Sequence, residues 1–143
     1  MDRSVHISGK RKMAVARVTV SKGSGIIRIN NQLLDVFSSD LARWKIKEPL
    51  ILAEDLVNKV NIKVNVFGGG VAGQADAIRL AIARALLQFS KDKKLEEKMH
   101  KYDRHLLVAD IRRKEVCKPN DSKARKKRQK SYRWCENDDT SEM

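Results

Sequence analysis

The sequence predicts an α+β protein, a two-layer sandwich in which one sheet is covered by helices on one face. Three observations lead to this fold class. Residues 60–67 (VNIKVNVF) alternate apolar and polar side chains, as a strand with one buried face does. Residues 75–89 repeat apolar side chains at intervals of three and four, as a helix does. The predicted elements follow in the order β, β, α, α, β, α, α, β, without an internal repeat.

The N-terminal part predicts a β-hairpin. Residues 11–20 alternate as a strand, and residues 26–30 form a second apolar run. Between them, residues 22–25 (KGSG) supply a turn whose glycines accept positive φ. One face of the first strand carries Ala14, Ala16, Val18 and Val20. Residues 30–32 (NNQ) indicate a second turn, after which the chain continues briefly extended.

Two short helices are predicted next. Ser39 or Asp40 caps the first, which runs through Lys45. Pro49 ends that helix and suits the first turn of a second one, which reaches Asn58.

The second half predicts a strand, a helix, a short helix and a last strand. Residues 60–67 are followed by three glycines and by the long helix of residues 75–89. A short helix is expected at about residues 94–102, and a final strand at residues 104–111 (RHLLVADI). Because a helix separates them, the strands at 60–67 and 104–111 are expected to be parallel neighbours.

The charge is large and unevenly distributed. The 143 residues suit one domain with extensions, and their formal net charge is +13. We expect a globular body over residues 1–111 (net +8), a basic arm over residues 112–133 (net +9) and an acidic extension over residues 134–143 (net −4). Such a charge is typical of proteins that bind nucleic acid or an anionic membrane. No apolar run approaches the length of a membrane span, and no secretory signal is recognisable at the start.

The basic arm is expected to carry the function. It contains eleven Lys/Arg against two acids and few apolar side chains, so alone in water it should be disordered. A polyanion changes this, because neutralised phosphates release counterions and the arm orders along them. The simpler interpretation is a solvated charge run or a localisation signal.

The glycine run of residues 68–70 is open to three interpretations. A glycine turn between strand and helix resembles a phosphate-binding loop, but Gly73 and Gln74 do not complete either common nucleotide motif. It also suits a tight structural turn. The third possibility combines both, with backbone amides contacting an RNA phosphate while Lys10, Arg11, Lys12 and Lys63 lie nearby.

Catalytic and metal-binding clusters do not stand out from the sequence. Cys117 and Cys135 form no CxxC pair, and the three histidines do not cluster with them. His105 lies on a predicted strand, where a structural role is commoner than a catalytic one. We therefore expect a protein that is not an enzyme and that uses no cofactor and no metal.

Several stretches together resemble one protein family. They are GKRKMAVARV (9–18), INN (29–31), VNVFGGGVAGQADAIRLAIARAL (64–86), YDRHLLVADIRRKE (102–115) and KPNDSKARKKRQKSYR (118–133). In these stretches the chain resembles the universal small-subunit ribosomal protein S-nine family, S-sixteen in eukaryotic usage, and its archaeal branch in particular. The resemblance covers residues 7–133.

The resemblance implies a fold and a set of partners. The fold would have a four-stranded sheet, helices on one side and a left-handed βαβ crossover, against the usual right-handed rule. The protein would lie in the cytoplasm, in the head of the small ribosomal subunit. Its partners would be small-subunit ribosomal RNA, the peptidyl-site tRNA and neighbouring head proteins, without a membrane.

The residues and the resemblance together give the expected site. The expected ribosomal RNA-binding residues are Lys10, Arg11, Lys12, Gly68, Gly69, Gly70, Gln74, Arg112, Arg113, Lys114, Lys118, Lys123, Arg125, Lys126, Lys127 and Arg128. The end of the arm matches the family's tRNA-contacting residues at Lys130, Tyr132 and Arg133. The family chain normally ends at the position of Arg133, whereas this chain adds residues 134–143, whose acids would repel tRNA phosphates.

Two rival classes remain at this stage. A small-molecule kinase would use the glycine run for ATP, although the chain lacks a magnesium-binding Ser or Thr after it. A free-standing RNA- or DNA-binding module would bind generic duplexes and would not sediment with ribosomes.

Overall fold

A computed structural model describes residues 4–117 and 123–125, and a five-stranded mixed sheet lies at its centre. The strands are β1 (Val5–Arg11), β2 (Ala14–Lys22), β3 (Ile27–Ile29), β4 (Gln32–Leu33) and β5 (Val60–Phe67). Their order across the sheet is β1-β2-β5-β3-β4. The helices are α1 (Asp40–Ala53), α2 (Val71–Ser90) and α3 (Lys93–Tyr102), with short 3₁₀ turns at 34–36, 54–59 and 104–106. The predicted α+β class is confirmed, whereas the sheet formed by the described residues has five strands and not the four expected.

The most periodic stretches fold as predicted. β5 has the predicted bounds, and its alternate residues Val60, Ile62, Val64 and Val66 are buried. The long helix is also confirmed, although it begins four residues earlier, at Val71. The short helix that follows is α3, whose first turn is capped by the side chain of Asp92 through the N–H of Lys94.

The predicted hairpin of β2 with β3 is wrong, because β5 lies between these two strands. The connection of residues 22–25 passes over the start of β5 and does not fold back on β2. The N–H groups of Ser24 and Ile26 both donate to Oδ1 of Asn61, and Gly23 donates to the carbonyl of Lys59. β2 is antiparallel to β5, and β3 is parallel to it.

The true hairpin partner of β2 is β1, a strand that the sequence analysis missed. The two strands are antiparallel and are joined at Lys12, which has a positive φ of 53°. The middle of β1 holds Gly9, where a Cβ atom would lie 2.5 Å from the carbonyl oxygen of Ala77. Glycine at this position lets α2 approach the strand closely.

The predicted Asn-Asn turn is confirmed, and the chain forms the short strand β4 directly after it. Asn30 and Asn31 both have positive φ, 47° and 69°, as the two-residue turn of a tight hairpin requires. β3 and β4 pair antiparallel across it. The amide of Asn30 also bonds both the N–H and the carbonyl of Val66, which ties the turn to β5.

The predicted division of α1 at Pro49 is wrong, since one helix runs from Asp40 to Ala53 with Pro49 inside it. A proline inside a helix removes one backbone hydrogen bond and costs stability. Here Pro49 is buried together with Ile46 and Leu50, and this packing offsets the loss.

The predicted last strand at residues 104–111 is also wrong. Both sides of β5 are already occupied by β2 and β3, so no parallel position beside it is free. The segment begins instead with a 3₁₀ turn in which the side chain of Asp103 accepts a hydrogen bond from the N–H of His105, at 2.8 Å. The parallel crossover runs from β3 through α1 to β5, and its left-handed sense stays a prediction.

The two faces of the sheet have different surroundings. On one face the apolar side chains of β2 and β5 join those of α1 and α2 in the core. We call the other side the open face. Its exposed side chains are His6, Ser8, Lys10, Arg17, Arg28, Lys63, Asn65 and Phe67.

Candidate nucleic-acid interface

A glycine turn with two positive φ values joins β5 to α2. Gly68 and Gly69 have φ values of 73° and 66°, which side-chain-bearing residues rarely adopt. A Cβ atom on Gly68 would also lie 2.5 Å from the carbonyl oxygen of Met13. Gln74 closes the turn, because its side-chain nitrogen donates to the carbonyl of Gly68 at 3.1 Å. The turn is therefore specific for glycine for structural reasons, whatever else it does.

The turn presents the N-terminus of a long helix. Gly70 precedes α2, and within the described residues no side chain caps this end and no acid occurs in the first turn. The first backbone hydrogen bond of the helix runs from the N–H of Gln74 to the carbonyl of Gly70. Earlier N–H groups therefore point outward at the positive end of the helix dipole, where an anion is favoured.

Of the four basic residues predicted to lie near this turn, Arg11 and Lys12 line the cleft beside it, whereas Lys10 and Lys63 do not. A cleft of about 490 Å³ is lined by residues 11–13, by residues 69–73 and by Asp76. Lys12 is exposed. The structure thus brings together Lys12 and the helix N-terminus, two groups that attract an anion.

Arg11 differs from its neighbours because its charge is neutralised within the protein. Its guanidinium contacts the carboxylate of Asp110 at 2.8 Å and that of Asp76 at 3.7 Å, and its side chain is only 18% exposed. Arg11 therefore fastens β1 to α2 and to the segment before the basic arm. An RNA phosphate would have to compete with two carboxylates for it.

The contacts that hold the segment before the basic arm against the body are together called the anchor. Asp110 is at its centre. Arg112 donates to it through Nε and Nη2, at 2.7–3.1 Å, and also through its backbone N–H at 2.9 Å. These hydrogen bonds from Arg112, with the nearby charge of Arg11, hold the pKa of Asp110 well below its ordinary value. The same pairing raises the pKa of Arg112. The first residue of the basic arm is thus held by the body.

Two arginines of α2 complete the anchor, and the sequence analysis missed both. Arg79 contacts Glu48 of α1 and, at 2.8 Å, Asp103. Arg84 donates through Nε to the carbonyl of Leu107 at 2.8 Å. Burial alone would raise the pKa of Asp103, but hydrogen bonds from the His105 N–H and from Arg79 outweigh it and the pKa is lowered. The only signal in the sequence was an arginine on each of two faces of a largely apolar helix.

The described part of the basic arm also contains an internal ion pair. The described residues fall into two compact units, one ending at Arg113 and the other beginning at Lys114. Within the second unit, Arg125 donates to Glu115 through Nε and Nη2 at 2.5–3.1 Å. The pair lowers the pKa of Glu115 and raises that of Arg125.

The remaining arm residues divide into exposed residues and residues outside the described ranges. Arg113, Lys114 and Lys123 are exposed. The following predicted contact residues lie outside the described residues: Lys118, Lys126, Lys127, Arg128, Lys130, Tyr132 and Arg133.

Comparison with known proteins identifies the family. A family model described as "Ribosomal protein S9/S16" matches residues 9–133. The small ribosomal subunit protein uS9 of Methanothrix thermoacetophila is 50% identical over 129 residues, which cover 90% of this chain and 98% of that protein. The protein of the same name from Thermoplasma volcanium is 50% identical over 126 residues, covering 88% and 96% respectively.

The chain therefore belongs to the ribosomal protein S9/S16 family. This confirms the resemblance to that family, including its archaeal branch. Proteins of this family are structural and not enzymes, so the kinase interpretation of the glycine run is excluded. Among the helices that the structure describes, none is long and apolar enough to cross a membrane.

Proposed function

We propose that the protein is a structural constituent of the small ribosomal subunit in the cytoplasm, where it binds the ribosomal RNA of the subunit head. The observation that carries this proposal is that the family match spans both the globular body and the whole basic arm. The related proteins of two archaea are named as proteins of the small ribosomal subunit.

The body supports RNA binding through the glycine turn. Lys12 lines the cleft at this turn and is exposed, and the uncapped helix end at Gly70 offers backbone N–H groups to a phosphate. Gly68 and Gly69 let the chain turn tightly enough to present this end, and Gln74 holds the turn closed. Arg11 supports the site from below through its pairs with Asp76 and Asp110.

The basic arm adds a larger electrostatic contribution to RNA binding than the glycine turn does. Arg112, Arg113, Lys114, Lys123 and Arg125 are exposed cations. The sequence continues the series with Lys118, Lys126, Lys127 and Arg128. An arm that makes six to ten phosphate contacts should lose roughly three to five decades of RNA affinity between 50 and 200 mM salt.

The end of the arm is proposed to reach the peptidyl-site tRNA through Lys130, Tyr132 and Arg133. This contact rests on the family motif at these positions. Arg133 is followed by residues 134–143, four of which are acidic, and acids beside Arg133 would repel the tRNA phosphates.

Neighbouring proteins of the subunit head are the third proposed class of partner. The exposed surface of α1 carries large apolar side chains, Leu41 at 79%, Trp44 at 65% and Ile51 at 64% exposure. Side chains of this kind are enriched at protein interfaces.

The test is fractionation of a cell lysate in which the chain carries a small tag at its start. We expect the wild type to sediment with the small subunit, and Lys126→Gln/Lys127→Gln/Arg128→Gln to leave it at lower salt. The matched control, called the helix-side variant, is Lys45→Gln/Lys47→Gln/Lys98→Gln. It removes the same charge at three lysines that pair with Asp76, Asp35 and Glu54. A wild type that remains at the top of the gradient would refute the proposal.

The tRNA contact has its own test. In assembled subunits, Arg133→Ala should weaken tRNA binding at the peptidyl site while assembly stays nearly intact. Unchanged tRNA affinity would remove this part of the proposal and leave the ribosomal role standing.

A further inference from the structure

The open face differs from the rest of the body in its charge. None of the five strands contains an aspartate or a glutamate. The same strands carry Lys10, Arg11, Arg17, Lys22, Arg28 and Lys63. All acids between residues 4 and 117 therefore lie in helices or connections, and no strand residue of the open face is acidic.

Three of these cations form a row across the sheet. Arg17 of β2 is opposite Asn65 of β5, and Lys63 lies two residues before Asn65 on the same face. Arg17 and Lys63 are therefore diagonal neighbours, with Cα atoms about 7–8 Å apart. Arg28 of β3 is directly opposite Lys63, at the ordinary strand spacing of about 4.8 Å. We call Arg17, Lys63 and Arg28 the cation row.

Lys10 extends the cation row at one end. It lies two residues after Ser8, the residue of β1 that is opposite Arg17. Lys10 and Arg17 are therefore also diagonal neighbours, and four strands contribute one cation each to a continuous strip.

The cation row has no acidic partner among the described residues. The ion pairs of the body involve Arg11, Arg43, Lys45, Lys47, Arg79, Lys98 and Arg112. Like charges directly opposite each other in a sheet, such as Arg28 and Lys63, destabilise it. A polyanion lying along the row would remove this repulsion.

The other side chains of the open face suit a nucleic acid. Arg17 lies over the ring of Phe67, 5.3 Å from its centroid, which holds the guanidinium over the sheet. Ser8 and Asn65 flank Arg17 in the same cross-strand row and supply hydrogen-bonding groups for phosphate or ribose. Phe67 is 51% exposed, which leaves aromatic surface for a nucleotide base.

We infer that the open face is a second RNA-binding surface, on which the phosphates of a ribosomal RNA segment lie along the cation row. This inference rests on the proposed ribosomal function but concerns a different surface from the glycine turn and the basic arm. It assigns Arg17, Arg28 and Lys63 to phosphates and Phe67 to the adjacent nucleotide.

The experiment measures the affinity of the full chain for a transcript of the small-subunit ribosomal RNA as a function of KCl concentration. The open-face variant is Arg17→Gln/Arg28→Gln/Lys63→Gln, and the helix-side variant is the control with the same loss of charge. We expect the slope of log affinity against log salt to fall by about two to three in the open-face variant. In the helix-side variant it should change by less than about one.

A second measurement uses acetylation of lysine by a small reagent. Lys63 should be acetylated in the free protein and protected in the complex with the transcript. Lys98, which is paired with Glu54 on the helix side, should be acetylated in both. Circular dichroism and thermal melting establish that the open-face variant is folded, which is expected because its three positions are exposed.

The outcomes separate the inference from the proposed function. A wild type that does not bind the transcript refutes both. If the wild type binds and Lys126→Gln/Lys127→Gln/Arg128→Gln binds more weakly, but the open-face variant has an unchanged slope and Lys63 stays reactive, only the inference is refuted. Protection of Lys63 in whole subunits, with no protection on the transcript alone and an unchanged slope, would assign the open face to an acidic protein instead.

Discussion

The two faces of the sheet use their cations in opposite ways. On the helix side Arg11 and Arg79 are each held by two carboxylates. On the open face Arg17, Arg28 and Lys63 have no such partner among the described residues. Lys10 and Arg11 show the contrast within one strand, because successive residues of β1 point to opposite faces of the sheet. Charge that fastens the fold is thus kept apart from charge that is available to a ligand.

The largest effect on stability is expected from a substitution on β1, Gly9→Ala, and the adjacent substitution Ser8→Ala is its control. Gly9→Ala places a methyl group 2.5 Å from the backbone oxygen of Ala77, so α2 must move and the free energy of unfolding should fall by about 2–3 kcal/mol. Ser8→Ala introduces alanine at the neighbouring position, on the open face, where it should change stability by less than about 0.5 kcal/mol. Urea denaturation of both variants measures the difference. Equal effects would contradict the assignment of these residues to opposite faces.

A smaller loss is expected when an arginine is removed from the helix side. Arg79→Leu leaves Glu48 and Asp103 without their partner. Full burial would make this cost several kcal/mol, but both carboxylates are partly exposed, so we expect about 2 kcal/mol. Arg28→Leu removes the same charge from the open face and should leave the urea midpoint unchanged or slightly raised, since it relieves the repulsion from Lys63. The comparison fails if Arg28→Leu destabilises the protein as much.

The pH dependence of stability should arise on the helix side. The pKa values of Asp103 and Asp110 are lowered in the folded protein, whereas an unfolded aspartate has a pKa of about 3.9. Such groups stabilise the fold at pH above the unfolded value, and this stabilisation is lost as the pH falls through the folded value. The free energy of unfolding should therefore fall below about pH 4. Asp110→Asn should make that fall shallower.

The measurement is urea denaturation at several pH values between about 2.5 and 6, a range that brackets the pKa of an unfolded aspartate. The difference in stability between wild type and Asp110→Asn should be present at the upper end and shrink on acidification. A difference that is constant across the range would mean that the anchor does not depend on the charge of Asp110.

The sequence was most informative where a single local pattern determined the structure. The alternation of residues 60–67 and the stripe of the following helix identified β5 and α2. Asn30 and Asn31 identified a turn, because asparagine tolerates the positive φ that both adopt. The glycine run between strand and helix identified the turn, and the structure brings Arg11 and Lys12, two of its four predicted basic neighbours, to the same cleft.

Sequence analysis failed where contacts between distant residues decided the outcome. No local signal indicates that Asn61 binds the N–H groups of Ser24 and Ile26 and so separates β2 from β3. The apolar run before the basic arm is typical of a strand, but the sheet has no position for it beside β5 and Arg84 fixes it to α2. A proline usually ends a helix. Pro49 instead lies buried inside α1, and the helix continues past it. Pairings of this kind depend on topology, which periodicity does not reveal.

The Glu115–Arg125 pair has a consequence for how this part of the arm engages RNA. The guanidinium already holds a carboxylate at 2.5–3.1 Å, so a phosphate arriving there replaces one covalently tethered anion and not a mobile one from solution. The freed carboxylate of Glu115 then retains a cation beside the RNA in place of the one that the phosphate releases, so the net release of ions is small. The contribution of this exchange to affinity should therefore hardly vary with ionic strength. Glu115 thereby acts as an internal competitor, which keeps Arg125 occupied by a ligand of the chain's own until a stronger one displaces it.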